Sequence, residues 1–149
     1  MRSTIVVAAL LVAGVGAAGA ATAATPSKGV GPVKDVKLGA LDPKLAEKGK
    51  HVFEQKCMAC HKFEERYVGP ALGGVTTRRT PEWIMNMILN PQGMLEKDAT
   101  AKDLLGEYMT PMTFQNVTEA DARAILEYAR SVDAKSGARP GAKPAGKTK

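Results

Sequence analysis

Aromatic side chains are scarce in this chain: one Trp, three Tyr and three Phe make up 5% of 149 residues. A core assembled from so few large side chains is thin for a domain of this size. Cysteine is nearly absent too. Two residues support one disulfide at most, which excludes a disulfide-rich scaffold. Strand-like signals are missing, and so is any internal repeat. What remains is ordinary for a soluble protein, with 44% hydrophobic and 24% charged residues, and excludes wholesale disorder. The length has room for one domain and a tail.

The net charge of +6 is not spread over a fold. Between Asp42 and Asp133 stand 12 Lys and Arg against 14 Asp and Glu, so that stretch is slightly acidic. The excess lies at the ends, above all in the segment 134–149, which carries five basic residues and no acid. A nucleic-acid binder places its positive charge on a face of the fold. This distribution excludes nucleic acid as a partner.

Residues 1–24 have the make-up of a secretory signal: Arg2, an uncharged apolar run over Ile5–Val15, then small residues with Ala18-Gly19-Ala20 and Thr22-Ala23-Ala24 as cleavage sites. An uncleaved anchor helix is the alternative, and either reading sends the rest across a membrane. Segment 25–41 holds Gly, Pro and Lys without a helical stripe and reads as a linker or loosely packed arm. Segment 134–149 buries too little apolar surface to order itself. It reads as a solvated basic tail, with weak contact to an anionic membrane surface as its functional alternative.

Between the ends the pattern is all-α. Asp42-Pro43 caps and opens a helix with Leu45, Gly49, Val52 and Phe53 on one face. Thr80-Pro81-Glu82 opens a second, which ends at Asn90-Pro91. A third covers roughly Ala99–Tyr108. Thr118 and Asp121 start the last in the manner of a capping box, ahead of the stripe Ala122, Ile125, Tyr128, Ala129 and Val132.

The missing bulk of the core is explained by Cys57-Met58-Ala59-Cys60-His61. Two cysteines three positions apart, followed at once by histidine, are the attachment pattern for haem c. On one turn at a helix end both thiols reach the vinyl groups of one haem edge, and the histidine is directed at the iron. A thioredoxin-type motif needs a preceding strand, whereas a helical stripe precedes Cys57. A structural zinc site needs four ligands, and His51 is the one other histidine. A simple disulfide leaves His61 unexplained.

From about Leu41 to Val132 the chain resembles a class I monohaem cytochrome c. The resemblance rests on Gly49 and Phe53, the Cys57–His61 motif, Val68-Gly69-Pro70-Ala71-Leu72, a methionine loop, and Tyr128 in the last helix. It implies a small helical domain, over 42–133, wrapped around one covalent haem. It implies that Gly49 and Phe53 pack against Tyr128, and that Pro70 accepts a hydrogen bond from the His61 ring. It also implies a methionine as second axial ligand, a few residues before the last helix and beside proline. Met112 fits that place best, with Met109 as the alternative. Met58, Met85, Met87 and Met94 fit it poorly: Met85 and Met87 read as core residues, Met94 as part of a turn. Arg78, Arg79 and Trp83 are candidates to bind the haem propionates, against the plainer reading of surface arginines and a packed tryptophan.

His/Met ligation leaves iron no open position and favours electron transfer over catalysis. The expectation is therefore a periplasmic electron carrier serving a respiratory complex, terminal reductase or oxidase. The alternatives are a haem enzyme or gas sensor with displaceable methionine, and a haem subunit of a larger assembly.

Overall fold

The computed structural model describes residues 26–137; the segments read as signal and most of the basic tail lie outside them. The described residues form six helices and no strand. Helix α1 (Pro43–Lys56) starts where Asp42 accepts from the N–H groups of Lys44 and Leu45 at 2.9 and 3.1 Å. Helix α3 (Pro81–Leu89) starts at Thr80, whose hydroxyl accepts from Trp83 N–H at 3.1 Å. Helix α5 (Ala99–Tyr108) is capped by Asp98. Helix α6 (Glu119–Lys135) opens with a reciprocal box between Thr118 and Asp121. Each start follows from a short polar side chain meeting the unpaired N–H groups of a first turn.

Two further helices were not expected. Helix α2 (Val75–Arg78) is a single turn after left-handed Gly74. Helix α4 (Pro91–Lys97) replaces the turn expected around Asn90-Pro91-Gln92-Gly93. Asn90 ends α3 and starts α4, and Pro91 at the first helical position needs no N–H partner. Met94 is therefore a fully buried helical residue and not part of a turn.

Helices α1 and α6 form the principal helix pair. One face of α6 places Ala122 and Leu126 against Val33, Trp83, Met85 and Met94. The adjoining face places Ile125 and Ala129 against Phe53 and Phe63. Phe53, Phe63 and Tyr128 form a mutual triangle with ring centroids 5.2–5.6 Å apart. The expected contact between Phe53 and Tyr128 is thus present.

The segment preceding α1 departs from the expected linker. Asn86, buried on α3, accepts from Val33 N–H at 3.0 Å and donates to the carbonyls of Lys28 and Val33 at 3.0 and 2.9 Å. Val36 N–H donates to Glu82, and Val30 N–H to the Met94 sulfur. The arm is held by these backbone bonds and by Val33, buried in the core with Val30 and Val36 packed against it. At the other end, α6 continues past Asp133 to Lys135, where Ser136 N–H closes the last turn on the Val132 carbonyl. Among the described residues no helix is long and apolar enough to cross a membrane.

Candidate haem site

Helix α1 stops because the chain tightens at Cys57. Its N–H still bonds Phe53, while the N–H groups of Cys60 and His61 both turn back to the Cys57 carbonyl at 3.0 and 2.9 Å. That turn carries two free cysteines and the His61 ring to the rim of one cavity. Met58 stays exposed, outside the lining.

Behind His61 the chain doubles back as a stapled loop. Gly69 N–H bonds the Cys60 carbonyl, Leu72 N–H that of Lys62, and Gly73 N–H that of Phe63, at 2.8–2.9 Å. Gly69 passes so close to the imidazole that a Cβ there would lie 2.5 Å from its Cε1. His61 Nδ1 lies 3.2 Å from the Pro70 carbonyl, which as acceptor selects the tautomer with hydrogen on Nδ1 and leaves the Nε2 lone pair free. Burial lowers the His61 pKa, only partly opposed by the Pro70 carbonyl, so the ring is in the neutral form a metal requires. Burial also pushes the Cys57 thiol up to about 11, helped by the adjacent Cys60.

Arg78 donates to the carbonyls of Gly73 and Ala71 and braces this loop from α2. The helix itself is pinned by Asp133 at the far end of α6. Its buried carboxylate accepts from Gly74 N–H at 2.6 Å, Thr76 N–H at 3.0 Å and the Thr76 hydroxyl at 2.6 Å. No local sequence signal marks Asp133, since its partners lie nearly 60 positions away.

The cavity measures about 540 Å³, within the roughly 300–1,000 Å³ typical of cofactor and ligand sites. Phe53, Phe63, Ile84, Ile88, Leu95 and Leu104 give it an apolar interior. Cys57, Cys60, His61, Pro70, Arg79, Trp83 and Met112 all line it, so every predicted site residue is brought together. Their roles are not all as expected. The Trp83 N–H, a candidate for a propionate, is donated instead to Asp98 at 3.0 Å, leaving the ring as wall. Arg79 stacks over that ring at 5.3 Å. Tyr67 faces solvent.

Met109 and Met112 differ sharply. Met109 is 80% exposed, in left-handed conformation at the end of α5, and does not line the cavity. Met112 is half-buried and does. Met87, read from sequence as a core residue, also lines the cavity from α3. Residues 110–117 around Met112 make no hydrogen bond to the rest of the described chain; their only ones join Gln115 to Thr113.

An apolar cavity with two thiols, a free imidazole nitrogen, a thioether and an arginine at its lining fits a haem: vinyl partners, axial donors and a counter-charge for propionates are all present.

The comparisons agree with that fit. The cytochrome c family model matches residues 46–133. Cytochrome c2 of Rhodopseudomonas palustris strain ATCC BAA-98 / CGA009 is 29% identical over 118 residues, 62% of this chain and 84% of its own. The solved cytochrome c from Rhodothermus marinus is 49% identical, covers 70% of this chain and 91% of its own, and superposes with a TM-score of 0.69. An engineered form of that Rhodothermus marinus protein, bound to a carbene intermediate, is 48% identical with a TM-score of 0.66 and the same coverage. With the Cys57–His61 turn, its stapled loop and the cavity they enclose, the chain belongs to the cytochrome c family, carries one covalent haem c and is a haem electron carrier.

Proposed function

We propose that this protein is a periplasmic one-electron carrier whose haem, tethered through Cys57 and Cys60, is ligated by His61 and Met112. The supporting observation is the convergence on one apolar cavity of two thiols, a thioether and an imidazole whose Nδ1 is already engaged. When bound, the haem supplies a one-electron couple. His61 offers Nε2 to the iron, and the Pro70 carbonyl holds its ring in one orientation. Met112 offers a soft sulfur that favours the reduced state and raises the potential. Held by His61 and Met112 together, the iron would offer no open place to oxygen or peroxide. Arg79 offers its charge to the propionates, and Trp83 and the aliphatic lining exclude water.

The partners are redox proteins, a respiratory complex, terminal reductase or oxidase, reached across the periplasm after residues 1–24 direct export. The basic tail adds weak contact with an anionic membrane surface. A second reading, a haem enzyme or sensor with displaceable methionine, is favoured by the sparse anchoring of residues 110–117.

Holoprotein matured in the periplasm distinguishes the two. A carrier keeps its pigment on the polypeptide through acid–acetone extraction, and its ferrous spectrum is unchanged by CO. A CO-sensitive spectrum overturns the carrier in favour of the second reading.

A further inference from the structure

Asp98 lies between α4 and α5 and is buried, with 6% of its surface exposed. Its Oδ1 accepts from Trp83 Nε1 at 3.0 Å and from Ala101 N–H at 2.9 Å, and its Oδ2 accepts from the Ser27 hydroxyl at 2.7 Å. Burial alone would raise its pKa, but these donors outweigh it and hold the carboxyl below the usual range. One carboxylate thus joins three separate parts of the chain. Trp83 lines the haem cavity. Ala101 is in the first turn of α5, whose Leu104 and Tyr108 also line it and whose end leads into the Met112 loop. Ser27 belongs to the arm, outside the region matched by the family model.

At its far end α5 is held on the surface, where Arg66 donates to the Glu107 carbonyl at 3.2 Å and lies over the Tyr108 ring. Ala101 is its one buried residue, and its main helical neighbour is the seven-residue α4. Beyond it, residues 110–117 make no hydrogen bond to the remaining described chain. The start of the loop therefore follows α5, whose buried anchor is the first turn at Asp98, while its end is set by buried Val117 and the Thr118 cap of α6.

We propose that Asp98 is a positioning residue for the haem site: it clamps the Trp83 ring as cavity wall and sets, through α5, where the methionine loop rests, while Ser27 locks the carboxylate from the arm. The inference rests on the cavity being the haem site and adds a reason for the arm to matter to it. It does not require Met112 in particular, since the loop's position governs access to the iron whichever residue is bound.

The test uses full-length ferric holoprotein titrated with imidazole and read by its Soret band. Asp98→Ala is expected to raise imidazole affinity on the order of tenfold, the scale seen when a supporting contact of a metal site is lost. Asp98→Asn keeps an amide oxygen for Trp83 and Ala101, and its NH₂ can face the Ser27 oxygen, so its affinity stays close to wild type. Glu127→Gln, at a buried carboxylate between α1 and α6, lowers the melting temperature without moving the imidazole affinity, which separates positioning from general destabilisation. If Asp98→Ala yields too little holoprotein, Trp83→Phe keeps a smaller aromatic ring in the wall, removes the N–H and is expected to shift the affinity in the same direction. Wild-type imidazole affinity in the variant that folds overturns the proposal. Failure of the Met112 assignment shows separately, as an unchanged methionine–iron band in Met112→Ala.

Discussion

Gly49 of α1 lies against the main-chain carbonyl of Ala124 on α6, with no room between them for a Cβ. The two helices meet backbone to backbone, and the Phe53–Tyr128 contact, 5.6 Å between ring centroids, depends on that approach. Gly49→Ala must push the helices apart. A loss of roughly 1–3 kcal/mol is expected, the usual cost of overpacking. Thermal unfolding of the holoprotein measures it, and an unchanged melting temperature would contradict the crossing.

The methionines give an ordered set of outcomes. Met112→Ala should abolish the methionine–iron charge-transfer band of the ferric protein, lower the reduction potential and open the ferrous iron to CO. Met87→Ala should keep the band and cost about 2 kcal/mol in packing, the low end for a half-buried side chain. Met109→Ala should change stability by less than about 0.5 kcal/mol, as surface substitutions do, because the residue is 80% exposed. Loss of the band in Met87→Ala with its retention in Met112→Ala would move the ligand to α3.

Asn86 makes three hydrogen bonds to the backbone of the arm. Asn86→Ala leaves those groups to find water or stay unpaired, at about 1–3 kcal/mol. Trypsin should then cut faster at Lys28, Lys34 and Lys37, with the haem domain intact. Unchanged cleavage would mean that the arm is held elsewhere.

Glu127 gives the acid limb of the stability curve. It is buried and accepts from Asp42 N–H at 2.9 Å, Arg123 at 2.7 Å and Arg130 at 2.8 Å. Burial would raise its pKa, but these partners outweigh it and hold the carboxyl below its ordinary value. A depressed folded pKa contributes stability above the unfolded value, about 4.3 for Glu. That contribution is lost as pH falls through the folded pKa. Glu127→Ala should cost roughly 3–5 kcal/mol at neutral pH, as when one partner of a buried pair is removed. Glu127→Gln should flatten the fall in melting temperature below about pH 4. A wild-type acid profile in Glu127→Gln would place the titration on other carboxylates.

The parts legible in the sequence were those specified by neighbours in the chain. Asp42-Pro43, Thr80-Pro81 and the Thr118–Asp121 box each announce a helix start within four residues, and Cys57–His61 announces its cofactor within five. Contacts made across the fold left no such mark. Asp133 holds α2 from nearly 60 positions away, and Ser27 meets Asp98 across 71. Asn86 carries no local sign of its partners, which lie 53 and 58 positions away on the arm. Helix α4 is masked for a local reason: proline, glycine and asparagine together look like a turn, yet proline is also the favoured opening of a helix.

The unequal fastening of the two loops at the cavity also divides the labour of change. Groups behind His61, from Gly69 to Arg78, are bound to one another in series, so a substitution there is transmitted to the imidazole. Residues 110–116 have no such hydrogen bonds to the rest of the described chain, and only Val117 at the end of the loop is buried. Sequence variation in that loop can alter what reaches the iron while the covalent tether and the His61 tautomer stay as they are. One face of this haem site is committed to holding the cofactor, and the other is free to acquire a chemistry.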